Sequence, residues 1–203
     1  MTDDLTTTRR AWHAVGELVL AGPQYREHGT IRLRVVPGGF AQVAGPLRVE
    51  GAQLVGDGVR VPLRGPVRAL GDAVGVVAGA PQGLYGAHAD LGPDDEASAH
   101  AAAAAQLGDW LARGDAGLRA FAPGVEPVLW PEHFDLAITL DEVNYGVSLG
   151  DGGHAASYAY VGPWTPRTGP FWNASFGALR PATELPDADA VAAFFAEGRG
   201  AAS

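Results

Sequence analysis

The side chains able to do chemistry crowd into one stretch, WPEHFDLAITLDEVNYGVSLGDGGHAASYAYVGPWTPRTGPFWNASFG, from Trp130 to Gly177. It holds three of the five tryptophans, three of the five tyrosines and two of the six histidines. Aromatic surface with a few convergent polar groups is the usual lining of a small-molecule pocket. Histidine near carboxylate suits acid–base chemistry, hydrolytic or isomerising. His133, Asp135 and His154 are therefore the candidate catalytic residues. Asn144, Asp151, Trp164, Trp172 and Asn173 are the candidate ligand-binding residues.

A strand must position the first of these. From His133 to Leu140, Phe134, Leu136, Ile138 and Leu140 alternate onto one face and read as core. His133, Asp135, Ala137 and Thr139 take the other face. A tight turn at Asp141-Glu142 then folds Val143 to Ser148 back, pairing Thr139 with Asn144, Ala137 with Gly146 and Asp135 with Ser148. Small residues there leave room above the sheet. His133 and Asp135, at i and i+2, would share that face as an acid–base pair or as a structural hydrogen bond. The whole polar face equally reads as one that meets water.

Gly150 to His154 reads as a loop in which Asp151 bonds its own backbone and glycines supply positive φ. Asp151 and His154 stay open as contacts to a substrate hydroxyl or a metal. Trp164, between Pro163 and Pro166, sits on a rigid turn, either over a pocket or as a core plug. Asn173, next to Trp172, needs hydrogen-bond partners if it is buried. His133, Asp135, Asp151 and His154 are ligand types for zinc, iron or manganese, but no HExxH or other tight spacing is present. No metal ligands are assigned, and a metal-dependent enzyme stands as an alternative.

The elements around this stretch follow from periodicity and turn residues. Thr8 to Leu20 has helical spacing at Trp12, Val15, Leu18 and Val19, with Gly22-Pro23 as its end. Thr30 to Val36 alternates as a strand. Leu47–Val49, Gln53–Val55 and Val59–Leu63 read as a meander, with a hairpin turn at Gly56-Asp57-Gly58. Val67 to Val77 does not decide between states. Residues 80–94 form a Gly/Pro-rich loop, after which Asp94 or Asp95 would cap an Ala-rich helix from about Glu96 to Arg113. His133–Leu140, Val143–Ser148 and Ser157–Val161 are strands, and Pro186-Asp187 opens a last helix burying Val191, Phe194 and Phe195. The fold class is α+β: antiparallel sheet with packed helices near the N-terminus, in the middle and at the C-terminus. A single domain over 1–203 is expected, with two similar halves, about 1–93 and 94–203, as a fainter pattern.

Composition narrows the chemistry. There is no cysteine, which removes thiolate nucleophiles, disulfides and iron–sulfur clusters. All 14 basic residues are arginine, which removes Schiff-base lysine chemistry and the P-loop lysine. An apolar content of 47% and the lack of a long apolar run indicate a soluble protein, and the polar, acidic start lacks the pattern of a signal peptide, so a cytoplasmic setting and no membrane are expected. Net charge of −9 argues against nucleic acid as a partner. The charge is uneven: six arginines against two acids between Thr30 and Arg68 give that segment +4 and the remainder −13. Those arginines (Arg32, Arg34, Arg48, Arg60, Arg64, Arg68) read as an anion site or as a face paired with the chain's own acids.

The runs WPEHFDLAI, NYGVSLGD, YAYVGPW and FWNASFGA, with TIRLRVVPGGF and LRVEG upstream, resemble a family of uncharacterised proteins common in high-GC actinobacteria. The resemblance covers most of the chain. FDLAIT, the Gly-Asp loop and the Tyr-x-Tyr strand are also similar to a broader bacterial domain of unknown function. That domain lacks a histidine at the position of His133, and Leu149 stands where the pattern has proline. The resemblance implies no activity, cofactor or residue role.

Three readings stay open. The first is a small-molecule-binding protein or acid–base enzyme with an aromatic, His and Asp-lined pocket in 130–177, its cofactor unknown. The second is a noncatalytic interaction protein, a homodimer with aromatic hot spots. The third is the metal-dependent enzyme.

Overall fold

A computed structural model of the chain describes residues 2–86 and 89–202. Two compact units are formed. One holds the chain up to Asp109 together with Leu129–Phe134, and the other holds Trp110–Val128 and the chain from Asp135 on. The architecture is α+β, with antiparallel strands and helices near the N-terminus, in the middle and near the C-terminus.

The first unit begins with α1 (Thr2–Ala14), a π-helix (Val15–Ala21) and α2 (Gly22–His28) in unbroken succession. Gly22-Pro23 therefore does not end the helix, as its sequence suggests. It shapes the wide turn instead. The Gly22 N–H bonds the Glu17 carbonyl five residues back. The next bond in that register would come from Pro23, which has no N–H, so it would leave the Leu18 carbonyl unmet. Gly79 N–H supplies the missing donor at 2.8 Å. That approach needs glycine at 22, where a Cβ would lie 1.7 Å from the Gly79 carbonyl oxygen. The Gln42 side chain donates to Leu20 O at 2.9 Å. The helix finally stops at Gly29, in the left-handed conformation with φ 71°.

Strands β1 (Leu33–Val36), β2 (Gly39–Gln42), β3 (Arg48–Glu50), β4 (Gln53–Gly56) and β5 (Val59–Pro62) form a meander that contains the three expected strands β3–β5 and adds β2, which the sequence reading does not name. Asp57-Gly58 is the hairpin turn, with Gly56 paired to Val59. β6 (Arg64–Pro66) and β7 (Glu96–Ser98) make a separate two-stranded sheet, and between them Val67–Ala73 is a helix, α3. The 80–94 loop follows, except that Ala87 and His88 lie outside the described residues. Because Glu96–Ser98 pairs as strand, the Ala-rich helix α4 (Ala101–Phe121) starts later and runs further than its sequence suggests. Neither Asp94 nor Asp95 caps it: Asp94 pairs with Arg68 at 2.8 Å, and Asp95 accepts the Gly92 N–H at 2.8 Å. β8 (Val128–Trp130) flanks β1 through Leu33 and Leu129.

Three of the six arginines between Thr30 and Arg68 pair with the chain's own acids. Arg48 and Arg60 both grip Glu50, each at 2.5 Å, and hold its carboxyl below the usual range. Arg34 donates to Gln42 O, and the Arg32 guanidinium lies 5.8 Å from the Trp130 ring centroid. Arg64 is exposed.

The second unit carries β9 (Asp135–Leu140), β10 (Val143–Ser148), β11 (Tyr158–Pro163) and β12 (Ala178–Pro181), all antiparallel neighbours in that order. The Thr139–Asn144, Ala137–Gly146 and Asp135–Ser148 pairs form as the turn argument requires. Asp141 and Glu142 sit at φ 51° and 60°, the double positive φ of a two-residue hairpin turn that suits right-twisted strands. One sheet face carries Leu136, Ile138, Tyr145, Val147, Ala159 and Val161, all buried. It packs on α4 and on α5 (Ala188–Ala202), whose Val191, Phe194 and Phe195 are buried. The Asp187 carboxylate caps α5 by accepting the Ala190 N–H at 2.8 Å. Phe121 and Phe195 close on the Tyr145 ring at 4.8 and 6.0 Å.

Candidate functional site

The opposite face of β9–β11 gathers the polar and aromatic side chains. Successive strand residues alternate between faces, so the register fixes three rows: Asp135, Ser148 and Tyr158; then Ala137, Gly146 and Tyr160; then Thr139, Asn144 and Gly162. The second row holds the space the sequence leaves open, and that space is filled. The Tyr160 ring lies over Gly146, where a Cβ would meet its Cε1, Cζ and hydroxyl at 2.7 Å. From there the Tyr160 hydroxyl donates to Asp135 Oδ2. Burial first, then the Asp135 carboxylate, pushes the Tyr160 phenol well above its ordinary range.

A second phenol–carboxylate pair stands beside the first. The Tyr158 hydroxyl donates to Asp151 Oδ2 at 2.5 Å, while Asp151 Oδ1 accepts the Gly153 and His154 N–H groups at 2.6 and 2.8 Å. This is the self-bonded turn expected of the Gly150–His154 loop, with Gly150 at φ 100°. Burial raises the Asp151 pKa, but the Tyr158 hydroxyl and the two amides outweigh it and hold the carboxyl below its usual value. Burial and then Asp151 raise the Tyr158 phenol. The His154 ring is 5.5 Å from that of Tyr158. Phe176 joins the two tyrosines, with centroids 6.4 Å from each.

The third row is less crowded. A Cβ at Gly162 would make only ordinary contacts, the nearest at 3.6 Å. Beyond it Trp164 is pinned by its N–H to Glu142 O at 2.9 Å, and its indole remains 64% exposed. Asn144 Oδ1 receives the Thr139 hydroxyl at 2.8 Å and the Trp164 indole N–H at 3.5 Å. Both bonds end on the carbonyl oxygen, and an indole can only donate, so the amide nitrogen points away from them. No acceptor meets that nitrogen among the described residues. Trp164 follows Tyr160 by four positions, roughly 13 Å at extended spacing. The result is a trough with a glycine and an amide donor at its floor and aromatic rings at either end.

The structure thus brings Asp135, Asn144, Asp151, His154 and Trp164 to one face. The three remaining candidates sit elsewhere. His133 is exposed in the turn 131–134 of the other unit, ahead of β9. Phe134 has φ 52°, which breaks the extended alternation that would have set His133 beside Asp135. Asn173 spends its amide on the edge strand: Nδ2 donates to Leu179 O at 3.1 Å and Oδ1 accepts Leu179 N–H at 2.9 Å. Trp172 stands edge-on to Phe171 at 5.0 Å. Ser148, Tyr158, Tyr160 and Phe176 complete the face without having been named as site residues. The YAY alternation signals the two tyrosines, but the long connection between β10 and β11 hides their register.

Among the described residues, no three His, Asp or Glu side chains gather as metal ligands. No helix of the described residues is long and apolar enough to cross a membrane. No family model, no curated protein and no solved structure matches the chain.

Proposed function

We propose that the protein binds a small molecule in the trough on the β9–β11 face, in a cytoplasmic setting. One observation carries this reading: the Asn144 amide donor and the exposed Trp164 indole flank the side-chain-free Gly162 beside a ready-made phenol–carboxylate pair. Aromatic walls supply apolar contact, and the few oriented polar groups supply selectivity. Acid–base turnover is the extension of the same site. The Tyr160 phenol stays protonated near neutrality and can donate, and Asp135 can accept a proton once the phenol turns to substrate. Asp151 is committed to three hydrogen bonds and acts as scaffold. The net charge of −9 supports a partner other than nucleic acid.

Asp135→Asn is the discriminating variant, because an amide carbonyl can still accept the Tyr160 hydroxyl. Binding or turnover should fall sharply while the melting temperature stays within a few degrees. Unfolding of the variant would assign Asp135 a structural role instead.

A second reading has its own observation. Trp164 and Phe176 are 64% and 41% exposed, and large exposed aromatics are typical of interface hot spots. Sedimentation across a concentration series tests it. An oligomer lost on Trp164→Ala supports a homodimer, and a monomer at every concentration refutes it.

A further inference from the structure

The arginines of the 30–68 segment take no part in the trough, and the strand register of the first unit shows how they stand. Leu33, Phe40, Val49 and Leu54 are buried and set the core face of β1–β4. The other face carries a row that runs across the strands: Arg34 pairs with Ala41, Ala41 with Arg48, Arg48 with Val55 and Val55 with Arg60. Arg32, two residues before Arg34, joins this face. The acids of the segment are Glu50 and Asp57, and Asp57 sits in the β4–β5 turn. The face therefore sets four guanidinium groups against the Glu50 carboxylate.

Each of the four is steadied by a neighbour, and each keeps donors to spare. Arg48 Nε and Arg60 Nη2 both donate to Glu50. Arg34 Nε donates to Gln42 O at 3.3 Å, and the Arg32 guanidinium rests on Trp130. An arginine has five N–H donors, so most of them stay unused, and Arg32, Arg34 and Arg60 are exposed. Neither Arg32 nor Arg34 has an ion-pair partner among the described residues. Guanidinium forks held in place this way match carboxylates at a reduced ordering cost. Strands lie about 4.8 Å apart, so Arg34, Arg48 and Arg60 stand at intervals of roughly 10 Å over about 19 Å. A small anion reaches one of them at a time, whereas an extended chain of about six residues spans the row. Charge also limits the length of the partner. The rest of the chain carries −13, so a long polyanion reaching past the row meets like charge. We propose that this outer face of β1–β5 docks a short acidic peptide segment of a partner protein, its Asp and Glu carboxylates on Arg34, Arg48 and Arg60.

Fluorescence anisotropy with the full chain at low salt tests this, using a labelled hexapeptide of alternating Glu and Asp. Binding should saturate and should weaken as salt is added. The matching Gln and Asn hexapeptide should not bind. Arg34→Gln should weaken the acidic peptide about threefold, the scale of an exposed ion pair. Arg167→Gln removes the same charge from an exposed side chain of the other unit and should leave affinity unchanged. Equal melting temperatures of the two variants and the parent keep the comparison free of unfolding. No saturable binding, equal binding of the Gln and Asn peptide, or equal weakening by Arg167→Gln would each overturn the proposal. Tighter binding of a short labelled DNA duplex would overturn it in favour of nucleic acid. A dimer in sedimentation at the same salt, lost in Arg34→Gln, would overturn it in favour of a second copy of the chain. None of these outcomes bears on the trough, which lies on other strands.

Discussion

Asp151 shows how one side chain can hold a loop in place while looking like a catalytic candidate. Its carboxylate serves two amides and a phenol at once, so Asp151→Ala should cost about 1–3 kcal/mol, the scale of lost hydrogen bonds to a charged group. Chemical denaturation measures this, and a change within error would mean the loop is held by other contacts. The pH dependence has a definite sign on both sides. Asp151 has a lowered folded pKa, so its contribution is present above the ordinary carboxyl value and is lost as pH falls through the lowered one. Tyr158 and Tyr160 have raised folded values, so their contribution is full below the ordinary phenol value of 10.0 and drains away as pH climbs past it. Ultraviolet titration should show these two phenols ionising only above that ordinary range or with unfolding. Ionisation of both at pH 10 in folded protein would refute the buried-pair geometry.

At the scale of elements, glycines decide how closely helix and sheet approach. A Cβ at Gly114 of α4 would sit 2.3 Å from Val147 Cγ2 on the buried sheet face. Helix propensity alone favours alanine by about 1 kcal/mol, while overpacking costs about 1–3 kcal/mol. Gly114→Ala should therefore destabilise, and a net gain in melting temperature would show that α4 can move away at little cost. The β9–β10 pair of the second unit was legible in the sequence because the greasy alternation of Leu136 and Ile138 and the Asp141-Glu142 turn determine its register together, whereas β12 was not named. The strand start was not, because nothing in His133-Phe134 announces the left-handed backbone at Phe134. Two helix boundaries were hidden for a similar reason. Glu96–Ser98 is strand only because Arg64–Pro66 pairs with it. Gly22-Pro23 continues the helix only because Gly79 meets the Leu18 carbonyl. Both depend on distant partners that local propensity does not register.

At the scale of the whole chain, the trough joins residues from three strands and a turn, and all of its named members belong to the Trp130–Gly177 stretch that the sequence marks by composition. Tyr160 fills the space above Gly146, and Asn173 serves the sheet edge, so the proposed binding surface is displaced toward Gly162 and Trp164. The most direct measurement is native mass spectrometry of the full chain after incubation with a small-molecule extract. The account predicts a stoichiometric added mass on the unaltered protein that disappears in Trp164→Ala at unchanged melting temperature. A bare mass at saturating extract, or an adduct equally occupied in Trp164→Ala, would contradict a small-molecule site on this face.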